Sequence, residues 1–302
     1  MFKMRVGLVG CGNIGADFCI ALQKGSIPAE IVALTDIERS RAELLLRNFQ
    51  LSASICSLEE SAATADFLVE CAGPDAVESV IDAAIRHKRD CLILSIGGLM
   101  TTPELLEKAR RHTTQVWLPS GAIAGVDGVL AGREGGLHSV TLTTRKPPEG
   151  LEGTPYLAGR GIHLEDLKIP KVIFEGSALE AVQAFPRNAN VAAVVSLAGI
   201  GPQRTRVRII ADPRATMNSH EIVVEGAFGR LTAVTENLPS PRNAKSSYLA
   251  SLSGCAELRT AAEAFVMRRK QGVNRNRWQR RDHGVRQTAD FPRGSAHGGV
   301  GE

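Results

Sequence analysis

The chain has 302 residues, of which 43% are hydrophobic and 23% charged, and its formal net charge is +4 at pH 7. This apolar content excludes disorder over the whole length, and the length fits one large domain or two ordinary ones. No apolar run reaches the roughly 18 residues that cross a bilayer, and the N-terminus is too short and too glycine-broken for a signal peptide. The 6 cysteines form no C-x-x-C pair. We expect a cytoplasmic protein without a metal ion, a membrane span or a disulfide framework.

The positive charge is concentrated at the C-terminus. Residues 267–302 hold nine Arg or Lys against three acids, whereas residues 1–266 sum to about −2. From Gln271 onwards the chain has almost no apolar periodicity, which predicts a basic, disordered tail at 271–302. The folded body is therefore not expected to bind nucleic acid, and its aromatic content of 4% offers no base-stacking platform.

The first half alternates short apolar runs with helical segments. Buried strands are predicted at 4–9, 31–34, 66–70, 91–94 and 115–118. Helices are predicted at 15–23, 39–48, 76–87 and 102–111, with a short one opened by the capping-box spacing of Ser57 and Glu60. This rhythm predicts parallel βαβ units, and thus an α/β fold whose first domain, at 1–135, is a Rossmann-type doubly wound parallel sheet.

After residue 135 the rhythm changes. Strand-like segments lie at 139–144, 171–174, 205–210 and 221–224, and the first and third alternate in period two, as in a half-exposed sheet. They predict a smaller α+β domain with an open mixed sheet over 136–246, which includes a helix at 190–197. A final helix at 247–266, within a segment 247–270, can return to the first domain.

The turn after the first predicted strand has the spacing G-x-G-x-x-G. It follows a strand, opens a helix, and precedes Asp36, which ends the next strand 21 residues after Gly15. This context is typical of the dinucleotide-binding fingerprint, in which the phosphates lie at the helix N-terminus. An ordinary strand–turn–helix is the alternative. The predicted cofactor contacts in this turn are Gly10, Gly12, Asn13, Ile14 and Gly15.

Asp36 bears on the choice between NAD and NADP. Its carboxylate can accept hydrogen bonds from both ribose hydroxyls and would repel a 2′-phosphate, which favours NAD. Arg39 is close enough along the chain to keep NADP possible. Capping of the following helix is the alternative role for Asp36.

Three further loops of small residues follow predicted strands, at 71–74, 95–98 and 120–125. The carboxyl ends of parallel strands form the ligand crevice of an open sheet, so a nicotinamide ring can lie against these loops. For the first two, plain tight turns are an equal alternative.

In the second half, residues 211–220 are predicted to be a polar loop that leads into a strand. The loop ends at His220, which Asn218 and Glu221 flank as potential orienting partners, and we expect it to be accessible to solvent. An imidazole exchanges protons near neutral pH, but composition alone does not assign a role to it.

Several stretches together resemble one family. They lie at 10–15, 120–125, 143–148, 185–192, 196–199, 211–213 with 218–220, and 236–240 with 243–247. On these stretches the chain resembles the L-aspartate dehydrogenase family. The resemblance implies a dimeric enzyme that oxidises L-aspartate to iminoaspartate with NAD or NADP and feeds NAD biosynthesis. It also implies that His220 is the active-site histidine and that Ala124 and Asn190 contact NAD.

Two features depart from the family pattern. Its usual N-P-K-T-S stretch reads Asn-Ala-Lys-Ser-Ser at 243–247, which loosens the turn but keeps Lys245 and a hydroxyl. The tail from Gln271 has no family counterpart.

The reaction implied by the resemblance needs a base and a cation. His220 is the expected base for the amine proton, although it can instead orient the substrate or activate water for imine hydrolysis. The two substrate carboxylates call for at least one cationic partner. The candidates are Arg145, Lys146, Arg187 and Lys245. We prefer Lys245, and we add Asn218 as a second substrate-binding candidate.

Three alternative functions remain open. The first is a related dehydrogenase that acts on another amino acid or a semialdehyde. The second is an NAD-binding regulator without turnover, against which the Asn218–His220 segment counts. The third is binding of nucleic acid or a membrane surface through the basic tail.

Overall fold

The protein is described by a computed structural model that covers residues 2–186 and 190–270, with backbone only at Ala244 and Lys245. Arg187 and the predicted tail at 271–302 lie outside the described residues. Within them the chain forms a six-stranded sheet, a five-stranded sheet and a two-stranded sheet. The predicted fold class, an α/β Rossmann-type domain joined to a mixed sheet, is confirmed.

The first sheet has the strand order β3-β2-β1-β4-β5-β6, and all of its pairs are parallel. Because β1 has β2 on one side and β4 on the other, the order reverses at β1. A crevice at the carboxyl ends of the strands therefore opens at this point. The strands are β1 (Met4–Val9), β2 (Ala29–Thr35), β3 (Ser54–Ile55), β4 (Phe67–Glu70), β5 (Asp90–Ile93) and β6 (Val116–Trp117).

Helices connect these strands, together with short 3-10 helices at Pro74–Ala76 and Ile96–Met100. The predicted capping box is present: the Ser57 hydroxyl accepts from the Glu60 N–H, and the Glu60 carboxylate accepts from the Ser57 N–H. The first helix begins at Asn13, two residues earlier than predicted, because Gly12 is extended and serves as its N-cap. The helices are α1 (Asn13–Gln23), α2 (Arg39–Asn48), α3 (Leu58–Thr64), α4 (Val77–His87), α5 (Glu104–Arg111) and α6 (Val126–Gly135).

The second sheet has the order β11-β10-β7-β9-β8, in which only β7 and β9 are parallel. Along β7 the side chains alternate between buried and half-exposed, so one face is covered and the other is open. Helices α6, α8 and α9 pack on this sheet. The elements are β7 (Leu137–Lys146), α7 (Pro155–Gly159), β8 (Lys171–Ser177), α8 (Ala178–Ala184), α9 (Asn190–Ala198), β9 (Arg206–Ala211), β10 (Asn218–Gly226) and β11 (Gly229–Asn237).

The chain then forms β12 (Pro239–Ser240), β13 (Asn243–Ser247) and α10 (Tyr248–Lys270). Helix α10 packs against α1, where Leu258 and Ala262 lie in the same buried cluster as Phe18. No helix among the described residues is long and apolar enough to cross a membrane. We propose the domain limits 1–135 and 136–246, supported by the two separate sheets, with 247–270 returning to the first domain.

Candidate active site

The glycine turn, residues 10–15, has the geometry that its sequence predicts. Gly10 has φ +100°, and a Cβ added there would lie 2.5 Å from the backbone N of Ala72. A Cβ at Gly15 would lie 2.7 Å from the Gly10 carbonyl oxygen, whereas one at Gly12 would meet nothing within 4 Å. Gly10 and Gly15 thus allow close backbone packing, and Gly12 leaves open space at the N-terminus of α1. That space fits a dinucleotide phosphate, which the backbone N–H groups of Asn13 and Ile14 can bind.

Asp36 connects the glycine turn to the loop after β2. Its carboxylate accepts hydrogen bonds from the N–H of Cys11 at 2.7 Å and from the N–H of Glu38 at 2.8 Å. Helix α2 has Glu38 as its N-cap, so Asp36 does not cap it. A carboxylate has about four lone-pair sites, which leaves capacity for ribose hydroxyls. The next residue, Ile37, is fully exposed, and sequence reasoning missed this apolar surface beside Asp36.

Glu70 is a buried carboxylate that connects two loops of the crevice. It ends β4 and accepts hydrogen bonds, each 2.9 Å long, from the N–H groups of Ala72, Gly73 and Ser95 and from the Ser95 hydroxyl. Burial raises the pKa of Glu70, while these four donors oppose the shift. Sequence reasoning missed this residue, although an acid at the end of a wholly apolar strand is an unusual signal.

Asn190 and Ala124 both lie at this crevice edge. The Asn190 side-chain oxygen accepts from the N–H of Gly97 at 3.0 Å and so reaches the loop after β5. Ala124 is exposed in the loop at 120–125. The Ala122 carbonyl of the same loop accepts from Thr235 and Asn237, each at 2.9 Å. These bonds attach the crevice edge to the second sheet.

The covered face of the second sheet becomes polar at the end nearest this loop. Along β7 the buried positions change from Val140 and Leu142 to Thr144 and Lys146. The strand register pairs His220 with Thr144 and with Thr235, so these side chains share a face. We call this set the polar row; its members are Thr144, Lys146, Asn218, His220, Thr235 and Asn237.

His220 lies within β10, and the prediction of an accessible loop position was wrong. Its side chain is 3% exposed, and its Nδ1 lies 3.0 Å from the Thr144 hydroxyl oxygen. Neither predicted flanking partner orients it: Glu221 alternates to the other face, and the Asn218 amide donates to the Ser247 hydroxyl at 3.1 Å. Burial, and secondly the charge of Lys146, lower the pKa of His220 to about 3. The imidazole is therefore neutral at pH 7, and titration near neutrality does not explain its role.

The four cationic candidates differ in position. Lys146 is in the polar row and is 5% exposed, and burial lowers its pKa to about 8. Arg145 alternates to the opposite face, where it pairs with Asp212 at 2.7 Å. The Lys245 backbone is in β13, but its side chain, like the whole of Arg187, is not described. Among the described residues, no group of three or more His, Cys, Asp or Glu is placed to hold a metal ion.

Known protein families match both halves of the chain. Residues 10–119 match the model of the homoserine dehydrogenase NAD-binding domain, and residues 127–261 match the aspartate dehydrogenase C-terminal domain. L-aspartate dehydrogenase from Methanosarcina mazei is 45% identical over 261 residues, which cover 85% of this chain and 96% of the relative. The Bradyrhizobium diazoefficiens enzyme of the same name is 36% identical, with 85% and 91% covered.

A solved structure shows the same fold. Aspartate dehydrogenase from Thermotoga maritima superposes with a TM-score of 0.65 at 23% identity and covers 89% of this chain and 96% of its own. The predicted NAD-binding Rossmann domain and the dehydrogenase class are confirmed. With curated relatives of this identity and coverage, the chain belongs to the L-aspartate dehydrogenase family.

Proposed function

We propose that the protein catalyses the oxidative deamination of L-aspartate. The product is iminoaspartate, which water converts to oxaloacetate and ammonia. The observation that carries this proposal is the polar row with His220 and Lys146, which is hydrogen-bonded through Ala122 to the edge of the NAD crevice. Supply of iminoaspartate to NAD biosynthesis is the role that fits this product.

The cofactor contacts follow from the geometry of the crevice. Gly12 and the first turn of α1 (Asn13, Ile14) would bind the pyrophosphate, with Gly10 and Gly15 shaping the turn. Asp36 would bind the adenosine ribose, which favours NAD over NADP. Ala124 and Asn190 would contact the nicotinamide end. When bound, NAD accepts the hydride from the substrate Cα.

His220 is the proposed catalytic residue. The Thr144 hydroxyl holds its ring at Nδ1, so Nε2 is the ring nitrogen that would act on the substrate. A substrate dicarboxylate beside the ring brings negative charge. This charge offsets the positive charge of Lys146 and so raises the His220 pKa from its low value. In the complex the neutral ring can then accept the amine proton. Asn218, two residues away on the same face, is a substrate-binding candidate, as is Lys245.

A spectrophotometric assay tests this function. Purified protein with NAD should form NADH when L-aspartate is added, and should form less with L-glutamate, L-asparagine or L-alanine. A preference for another amino acid or a semialdehyde would identify the related dehydrogenase instead. NADH binding without turnover of any of these substrates would indicate an NAD-binding regulator.

We also propose a homodimer located in the cytoplasm. The open face of the second sheet supports the dimer, because Thr141, Thr143 and Val223 are half-exposed and Val234 is exposed on it. An open sheet face of this kind can pair with its own copy around a two-fold axis. Light scattering should give twice the chain mass, and Val234→Glu should shift the protein toward the monomer. A monomer in the wild type at micromolar concentration contradicts the proposal.

A further inference from the structure

We propose that Lys146 is the residue that binds a carboxylate of the substrate and selects a dicarboxylic amino acid. This inference rests on the proposed function and names the group that recognises its substrate. It also replaces Lys245, the cationic partner preferred from the sequence, with Lys146.

The position of Lys146 follows from the strand register. β10 pairs with β7 so that Ser219 lies opposite Arg145 and His220 opposite Thr144. Lys146 is two residues beyond Thr144 and therefore on the same face as His220, at the end of β7 nearest Asn218. A Cβ added at Gly150 would lie 3.7 Å from Lys146 Cδ and 3.9 Å from the Asn218 side-chain oxygen. Lys146 and Asn218 therefore both lie beside Gly150.

The charge of the polar row fits an anionic ligand. Its six members include one lysine and no acid, and the lysine is 5% exposed. At pH 7 the ammonium form predominates, since burial lowers the pKa of Lys146 only to about 8. The charge of Lys146 also reaches His220, where it is the second cause of the lowered imidazole pKa. A bound carboxylate would stabilise the Lys146 ammonium, and also the imidazolium that forms when His220 accepts a proton.

The neighbouring acid, Asp212, does not lie on the face that Lys146 shares with His220. Asp212 follows β9, and its N–H donates to the Lys146 carbonyl at 2.9 Å. Its carboxylate accepts from Arg145 at 2.7 Å and from the Arg214 N–H at 2.9 Å, on the opposite side of β7 from the polar row. The Arg145–Asp212 pair is thus a separate ionic contact.

The test uses Lys146→Met, which keeps the length of the side chain and removes its charge. A hydrogen bond to a charged group implies that KM for L-aspartate rises about 10- to 100-fold, with a smaller change in kcat. Inhibition by succinate, which has both carboxylates and no amine, should weaken by a similar factor. Lys146→Arg should restore part of the affinity for L-aspartate and part of the inhibition by succinate. The NADH dissociation constant and the melting temperature should stay near wild type, as they should in the control Lys171→Met.

The outcomes are separable from those of the function assay. A wild type that forms no NADH with L-aspartate defeats the proposed function. An active wild type whose Lys146→Met variant keeps its KM and its succinate inhibition defeats the role of Lys146 alone. If Lys146→Met does not fold, the wild-type protein provides the test. Its affinity for succinate should fall as the pH rises above about 8, because Lys146 loses its proton there. An affinity that is constant to about pH 9.5, well past that pKa, contradicts the inference.

Discussion

The glycine turn and the polar row build two halves of one site in different ways. The turn is six consecutive residues whose contribution is the path of the backbone, and Gly10 and Gly15 are there because a Cβ would collide. The polar row joins residues that are far apart in the chain, such as Thr144 and His220, which are 76 positions apart. Its contribution comes from side chains that the strand register places on one face. We therefore expect substitutions in the turn to change cofactor binding, and substitutions in the row to change turnover.

The sharpest test of this separation is His220→Ala. A positioned acid–base group contributes about 10²- to 10⁴-fold, so kcat should fall at least about 100-fold. NADH should bind with near-native affinity, because the glycine turn and Asp36 are on the other sheet. Steady-state kinetics and NADH fluorescence titration measure the two effects. His138→Ala, at the exposed start of β7, is the matched control. A variant that keeps more than about a third of kcat contradicts the acid–base role.

Asn190→Ala should break the separation, since Asn190 begins α9 yet bonds to Gly97 in the crevice. Loss of this bond frees the loop after β5, so both NAD affinity and kcat should fall, each by about 10-fold, as expected for a hydrogen bond of about 1.4 kcal/mol. Isothermal titration with NADH and the aspartate assay provide the two values. Loss of turnover with unchanged NADH affinity would place Asn190 with the polar row alone.

Two glycine substitutions sharpen the account of the turn. Gly12→Ala should leave the melting temperature nearly unchanged, since its Cβ meets nothing within 4 Å, yet weaken NADH binding because a methyl group enters the phosphate space. Gly10→Ala should lower the melting temperature by several degrees, because φ +100° strains a residue with a Cβ by about 1–3 kcal/mol. Thermal melts with and without NADH separate the two variants. Equal melting temperatures would contradict this reading.

Replacement of Asp36 tests cofactor choice. Asp36→Ala should lower the preference for NAD over NADP by about 10-fold, by removing an acceptor for the ribose and a like charge facing a 2′-phosphate. The measurement is kcat/KM with each cofactor. If the wild type has the higher kcat/KM with NADP, Asp36 does not select the cofactor. Its role is then limited to its hydrogen bonds with the N–H groups of Cys11 and Glu38.

The polar row also predicts how stability depends on pH. The folded pKa of His220, about 3, is below the value of about 6.5 in an unfolded chain, so below pH 6.5 the unfolded state binds the extra proton. Stability should therefore fall as pH decreases, with His220 contributing about 2 kcal/mol between pH 6.5 and 5. Urea unfolding across this range should show a smaller decrease for His220→Gln. Parallel curves for the two proteins would mean that the histidine is not buried in its neutral form.

Local patterns were enough for much of the first sheet. The alternation of short apolar runs and helices predicted five of its six strands, all but β3. The capping box at Ser57 was correct because its contacts span three residues. The second sheet was less predictable. Strand β11, helix α6 and the two-residue strands β3 and β12 were not predicted. An exposed strand such as β11 has few buried side chains to mark it. Strand β10 begins at Asn218, three residues before the predicted start, because the polar residues Asn218 and His220 are buried on the face shared with β7.

The sequence by itself determined the glycine turn, the position of Asp36 and the family, because each depends on residues close together or on a set of recognisable stretches. Only the tertiary structure decided that His220 is a neutral, buried strand residue held by Thr144, that Glu70 connects two crevice loops, and that Lys146 shares the face of His220 while Arg145 does not. The physical reason is that burial and strand register are properties of distant partners. A one-residue step along a strand moves a cation from one face of the sheet to the other, and the sequence around that residue does not say which face is covered.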